Sequence, residues 1–380
     1  MTDYKKASLE KHHLHQGKIQ ISSKFGEIRS KDDLSIAYTP GVAAVSELLA
    51  KEPEKAYEYS IKANTIAVVS DGSAVLGLGN IGPYGALPVM EGKALLFKNF
   101  GGVDAYPLVL ATQDTEEIIN IVMNISPTFG GINLEDISAP RCFEIEERLR
   151  RDLEIPVFHD DQHGTAIVVL AALINSLKIT GKQKGKLKVA ISGAGAAGIA
   201  IGRLLVKYGI SSIVMVDSKG IINSKRLNLT SQKKEMAVYN EQKKEGDLRE
   251  AIMGADVFIG VSVAGIVSSE MVSTMSSQSV VLALANPVPE IMPEAAKAGG
   301  AFIVGTGRSD YPNQINNVLA FPGVFRGALD HRVRQITDDM KINAAIALAD
   351  CVDPGDLSPE KIVPSPFESN VVIKIAAAIK

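Results

Sequence analysis

The sequence predicts an α/β protein in two parts: an N-terminal α/β domain, then a Rossmann-type, doubly wound dinucleotide-binding domain. Three observations carry this. From Lys62 onward, short apolar runs alternate with helical patterns, the order of a layered α/β architecture. A glycine-rich turn, Gly193-Ala194-Gly195-Ala196-Ala197-Gly198, lies between an apolar strand pattern and a helix. The length of 380 residues suits two domains, at roughly 100–200 residues each.

In chain order, Thr65–Val69 and Val103–Leu110 read as strands. Ala139–Leu153 reads as a helix, with apolar residues three and four apart, and Ile155–Phe158 as a short buried strand. Gly164–Leu177 is a long, mostly apolar helix followed by the polar, flexible stretch Gly181–Lys186, so the division is placed here, giving domains 1–163 and 164–380. A second series then runs through strand Leu187–Ser192, helix Ala196–Tyr208 and strand Ser211–Val216. Asp256–Val261, Val280–Ala285 and Ala301–Val304 are further short apolar strands. Helices near Asp338–Ala349 and Asn370–Ile379 fit against either domain.

Composition narrows the function. Lys plus Arg number 40 against 43 Asp plus Glu, a net charge of −3, which argues against a protein built to hold nucleic acid. The apolar run Thr165–Ile174 is too short to cross a membrane, for which ~20 residues are needed. The start, MTDYKKASLEKHHLHQGK, has no apolar signal core, and Cys142 and Cys351 are too few for a disulfide framework. The expected setting is cytoplasmic. The basic stretch Lys225–Lys244 is interrupted by Glu235 and Glu241, so a solvated helix face is expected rather than a nucleic-acid surface. His12, His13 and His15 have no acidic or cysteine partner nearby, and a surface helix is expected there rather than a metal site.

The glycine turn is the first candidate site. Gly193 makes the tight turn, Gly195 lets the backbone approach a pyrophosphate, and Gly198 lets helix pack on strand, with the helix N-terminus facing the phosphates. Asp217 ends the next strand, about 20 residues on, where a carboxylate bonds a ribose 2′-hydroxyl. That carboxylate favours NAD. Lys219, Lys225 and Arg226, folded back, would instead neutralise the extra phosphate of NADP.

The first domain holds the second candidate. Glu135 and Asp136 follow an apolar run, and HDDQHGT (His159–Thr165) follows another. Carboxylates at the ends of strands in one sheet can converge on a point, and three such oxygen ligands with waters or substrate suit Mg²⁺ or Mn²⁺. Acids capping the helices that follow are the competing explanation. Lys93 lies in a mostly apolar helical segment between glycines, where desolvation would lower its pKa toward that of a general base; a structural lysine reaching solvent is the alternative. Tyr38, beside a Pro-Gly turn, is either an exposed phenol or a packing residue.

Together these segments resemble the malic enzymes, specifically the short bacterial or archaeal type, over Ser35 to about Leu329. The resemblance rests on SIAYTPGVA, DGSAVLGLGNIGPYGALPVMEGKALLFK, NLEDISAPRCFEIE with PVFHDDQHGTA, ISGAGAAG, and ALANPVPE with NNVLAFPG. It implies a metal-dependent oxidative decarboxylation of malate to pyruvate and CO₂ with reduction of NAD, or of NADP. It also implies Tyr38 as general acid, Lys93 as general base, and Glu135, Asp136 and Asp161 as ligands of Mg²⁺ or Mn²⁺. Asp160 joins the catalytic group as the neighbour of Asp161. Asn286 and Asn317 match residues near cofactor and substrate, and a homodimer is the expected assembly. One departure stands out: long-type members carry a substrate-binding arginine after the DG pair, where this chain has Ala74. No further acyltransferase domain, as in some bacterial relatives, is expected. Two competing functions are another small-acid or amino-acid dehydrogenase, which would not need all three acids, and a nucleotide sensor, which would bind cofactor without turnover.

Overall fold

The computed structural model describes residues 4–75 and 77–380. Ten strands form two sheets, named in chain order β1 (Thr65–Ser70), β2 (Asp104–Val109), β3 (Gly131–Leu134), β4 (Val157–His159), β5 (Lys188–Ser192), β6 (Ser212–Asp217), β7 (Gly220–Ile221), β8 (Val257–Gly260), β9 (Val280–Ala283) and β10 (Ile303–Thr306). The first sheet has the order β2-β1-β3-β4 and is parallel throughout. The second has the order β10-β9-β8-β5-β6-β7, parallel except for β7. Parallel sheets need both faces covered, which is why these strands read as unbroken apolar runs.

Alternate residues along a strand point to opposite faces, and the core divides accordingly. Ile66 and Val68 of β1 and Val189 and Ile191 of β5 meet in one shared core, filled by the helix Asp160–Thr180. Ala67 and Val69 face outward onto Ile118, Val122, Ile145 and Leu149 of two flanking helices. Ala190 faces a third cluster on the far side of the second sheet.

The central helix begins at Asp160, four residues before the Gly164 expected from the apolar pattern. Asp160 and Asp161 occupy its first turn, where acids complement the helix dipole, so the polar HDDQH stretch is helical rather than a loop. The helix is 21 residues long and apolar enough to cross a bilayer, but every residue from Ala166 to Ser176 is buried inside the protein. It is a core helix.

The C-terminal helices pack on both halves. Asp338–Ala349 lies on the central helix and Phe321–Asp330 on Gly82–Gly101, with the Phe321 ring tilted at 60° against Phe97, 4.6 Å between centroids. Around Lys225–Lys244 the expected helix face is confined to Ser231–Ala237, and Asn228, with φ of 61°, turns the chain before it. His12, His13 and His15 end the surface helix Tyr4–His15, as the sequence suggests.

Candidate active site

Register brings the acids together. In the β3–β4 pair Leu134 is opposite His159, so the residues that follow each strand, Glu135–Asp136 and Asp160–Asp161, emerge side by side. Asp136 adopts a left-handed backbone with φ of 54°, which aims its N–H at Asp161, donating to Oδ2 at 2.8 Å.

Lys93 reaches this point from the helix Gly82–Gly101, whose buried face carries Ala86, Met90, Lys93, Ala94 and Phe97. Its ammonium lies 2.6 Å from Asp160 Oδ2 and 2.9 Å from Glu135 Oε1, over the Phe321 ring at 4.2 Å. Here the sequence expectation is corrected. Burial does push the Lys93 pKa down, but Asp160 and Glu135 more than offset it, and the group is held well above its ordinary value. Burial in turn raises both carboxyls, with Lys93 opposing: Asp160 also faces Glu135, and Glu135 also faces Asp161. Oδ1 of Asp160 is buried with no hydrogen-bond partner among the described residues. Gly164 makes room for it: a Cβ there would sit 1.8 Å from that oxygen.

Glu135, Asp136 and Asp161 each offer a carboxylate oxygen, all within 4.8 Å of one another. Two carboxylates, Asp160 and Glu135, thus pair with one ammonium, and Asp136 and Asp161 lie beside them, so acids outnumber the cation in a largely buried place. Hard oxygen donors in that arrangement fit Mg²⁺ or Mn²⁺.

At the second sheet the glycine turn is as the sequence suggests. Gly193 has φ of 109°, and a Cβ on Gly198 would stand 1.9 Å from the Gly193 carbonyl oxygen, whereas a Cβ on Gly195 meets nothing within 4 Å. Ala194 sits in the turn, and Ala196 and Ala197 open the helix Ala196–Tyr208, which leaves its first N–H groups available to phosphate.

Asp217, at the end of β6, is fully engaged. Oδ1 accepts from the Lys219 N–H and Arg226 Nη1, both at 2.9 Å, and Oδ2 accepts from Arg226 Nη2 at 3.1 Å and Lys233 Nζ at 2.7 Å. Burial works to raise its pKa, but Arg226 and Lys233 hold it down at about 2. Of the three cations weighed from sequence, Arg226 folds back, Lys219 contributes its backbone, and Lys225 turns away to Glu245. Lys233 was not foreseen. It lies in the basic stretch read as a solvated face, and its spacing from Asp217 carries no signal until the turn is known.

Asn286 and Asn317 line the gap between the halves. The Asn286 carbonyl oxygen would lie 2.7 Å from a Cβ on Gly77, and the Asn317 side chain borders Gly164 and hence Asp160. Ala74 binds through its backbone, donating to the Asp136 carbonyl at 2.9 Å. Nearby, an unforeseen Arg141 donates to Asp71 Oδ2 at 2.8 Å and Ser73 Oγ at 2.9 Å, tying the DGS turn to the adjacent helix. Tyr38 stands apart: it is 66% exposed, its backbone N–H donates to the Leu34 carbonyl at 2.9 Å, and its carbonyl accepts from the Val42 N–H at 2.7 Å. None of the residues from 4 to 64 is buried.

Known proteins resemble this chain closely. Residues 16–150 match the family described as malic enzyme, N-terminal domain, and residues 162–380 match malic enzyme, NAD binding domain. A bifunctional malic/malolactic enzyme of Bacillus subtilis is 54% identical over 374 residues, 98% of this chain and 91% of that protein. An NAD-dependent malic enzyme of Geobacillus stearothermophilus is 55% identical, covering 96% of this chain and 76% of its own length. The crystal structure of an NAD-dependent malic enzyme from Thermotoga maritima superposes with a TM-score of 0.95 at 50% identity, over 100% of this chain and 99% of that one.

Proposed function

The chain belongs to the malic enzyme family, and from that premise we propose that it oxidatively decarboxylates malate to pyruvate and CO₂ while reducing NAD. The observation that carries the proposal is the contact of Lys93 with Asp160 and Glu135, beside Asp136 and Asp161. Residues 1–163 supply this substrate and metal half, and 164–380 supply the cofactor half. When bound at Glu135, Asp136 and Asp161, a divalent ion supplies Lewis-acid polarisation of substrate oxygens, and the nicotinamide supplies a hydride acceptor.

The protein's own groups handle protons. Lys93 is the base for the C2 hydroxyl, and Asp160 is its proton store. A Lys93 held charged cannot accept a proton until it gives one up, and Asp160 Oδ2 is 2.6 Å away to take it. Tyr38 is the acid that protonates C3 of the enolate. Asn286 and Asn317 flank the substrate and the nicotinamide end.

Cofactor selection follows from Asp217. The carboxylate still offers the ribose 2′-hydroxyl an acceptor, which supports NAD. Arg226 and Lys233 outnumber it, which supports measurable use of NADP as well.

Assembly follows from the N-terminal arm. With Ile21 84%, Phe25 77% and Tyr38 66% exposed on a segment that buries no residue of its own, a second copy of the chain is the proposed cover. That homodimer seats Tyr38 at a cleft. The two free, buried cysteines suit a reducing cytoplasm.

One assay tests the core of the proposal. Malate with Mn²⁺ and NAD or NADP in parallel should give reduced cofactor and pyruvate in equal amounts, and EDTA should stop both. Turnover that survives the chelator would instead favour a metal-free dehydrogenase, and cofactor binding without turnover a sensor. Light scattering on the purified protein should give twice the chain mass of 40.4 kDa; a monomer rules the arm's cover out.

A further inference from the structure

Glu146 is a buried charged residue on an otherwise apolar helical stripe, with the Gln162, His163 and Lys341 side chains beside it. The helix Arg141–Asp152 buries Cys142, Ile145, Glu146 and Leu149, a single stripe at spacings of three and four. Burying a carboxylate is costly unless donors surround it. Three do, and all belong to the HDDQH stretch: Oε1 accepts from the His159 backbone N–H at 3.1 Å, and Oε2 from Gln162 Nε2 at 3.1 Å and His163 Nε2 at 3.0 Å.

The residues between those donors are Asp160 and Asp161. The central helix that starts there has no side-chain cap from its own N-cap residue, His159, although the exposed N–H groups of a first turn need acceptors. The Glu146 carboxylate from the neighbouring helix supplies one such acceptor, to the His159 N–H, and ties the turn further through the Gln162 and His163 side chains. We propose that Glu146 is a positioning residue for the metal: by gripping His159, Gln162 and His163, it fixes the turn that aims Asp161 at Glu135 and Asp136, and Asp160 at Lys93.

Among the described residues, Glu146 is the buried acid that all three donors meet. Lys341, 3% exposed on the C-terminal helix Asp338–Ala349, bonds Asp338 at 3.0 Å and not the metal-bearing turn. A purely structural stripe would be served by leucine at position 146. What leucine would not supply is an acceptor for the first turn.

The inference rests on the metal reading of Glu135, Asp136 and Asp161, and the test separates the two. Mn²⁺ binding is measured by calorimetry on wild-type protein, Glu146→Gln and Gln162→Met, together with NAD binding and melting temperature. Glutamine keeps the size but turns one acceptor into a donor that faces Gln162. Expected is a loss of Mn²⁺ affinity of about 10- to 100-fold in Glu146→Gln, the usual reach of an outer-shell partner, with NAD binding kept and kcat falling more than KM rises. Gln162→Met, which removes one of three donors, should lose less. Wild-type protein that fails to bind Mn²⁺ would sink the metal reading itself. Wild-type binding with Glu146→Gln and Gln162→Met within about twofold of it overturns only the positioning role. If Glu146→Gln fails to fold, Gln162→Met decides: weakened Mn²⁺ binding with NAD binding intact upholds the role, and unchanged Mn²⁺ binding overturns it.

Discussion

The two candidate sites of this protein lie at the ends of strands, and they are charged in opposite senses. Beyond β3 and β4, four carboxylates (Glu135, Asp136, Asp160 and Asp161) gather, and only one ammonium, Lys93, pairs with them, through Glu135 and Asp160. Beyond β6, the single carboxylate of Asp217 faces Arg226 and Lys233. Both sit at the carboxyl ends of parallel strands, where α/β sheets bind ligands. The fold therefore fixes where the ligands go, and the local charge balance fixes which kind. A surplus of buried carboxylate calls for a cation. A surplus of cation beside a lone acid leaves room for a phosphate.

The strongest way to break the comparison is to take the lone cation from the acidic end. Lys93→Ala should lower malate oxidation by ~10²–10⁴-fold, the usual cost of a lost general base, while NAD binding at the other end is unchanged. Retained oxidation would mean that Asp160 alone serves as base. Next in size is the charge surplus itself. Asp161→Asn should cost most of the turnover and weaken Mn²⁺ binding, because the site loses one of three ligand carboxylates. Near-normal activity with Mn²⁺ would remove Asp161 from the ligand set.

The basic end is adjusted more finely. Asp217→Ala should weaken NAD binding more than NADP binding, since the lost contact is to the 2′-hydroxyl and the freed Arg226 and Lys233 favour phosphate. Lys233→Ala should move the ratio of kcat/KM the other way, by roughly tenfold against NADP, about the worth of one hydrogen bond to a charged group. Parallel kinetics with both cofactors check the pair. If both variants shift the ratio in the same direction, the cations act on Asp217 and not on the cofactor.

How legible each end was in the sequence follows from the distance its signals travel. Gly193, Gly195, Gly198 and Asp217 form a local pattern, and the strand, turn and helix around them fell where the apolar periodicity put them. The acids after β3 and β4 could be named because both pairs close apolar runs, but their meeting depends on a register, Leu134 opposite His159, that no local pattern reports. The Lys93 pKa could not be read at all. Its sign turns on Asp160, 67 positions away, and desolvation alone gives the wrong direction. Glu146 had a readable signal, an acid on an apolar helical stripe, whereas Lys233 had none. Tyr38 is exposed within one chain, and the sequence pattern beside its Pro-Gly turn gave no sign of what would cover it.

The smallest effect is the response of stability to pH, and the two ends should bend it in opposite ways. Asp217 is held at about 2 in the fold against an ordinary 3.8. A depressed acid stabilises the native state above its unfolded pKa, and that contribution is lost as pH falls through about 2. Glu135 and Asp160 are raised, so the folded protein holds their protons after the unfolded chain has released them. Without metal, their contribution declines as pH rises above the ordinary carboxylate range. Mn²⁺ binds only the deprotonated carboxylates, so its stabilising effect should grow over the same rise. Melting temperatures with and without Mn²⁺, taken from about pH 4 to about pH 7.5, should diverge as pH increases. Asp217→Asn should melt lower than wild type above its unfolded pKa and keep the full Mn²⁺ response. An Mn²⁺ shift that is flat with pH would mean the cluster carboxyls are already ionised before metal arrives. An Asp217→Asn protein that loses the shift would mean the two ends are coupled, and their opposite charges would then belong to one site.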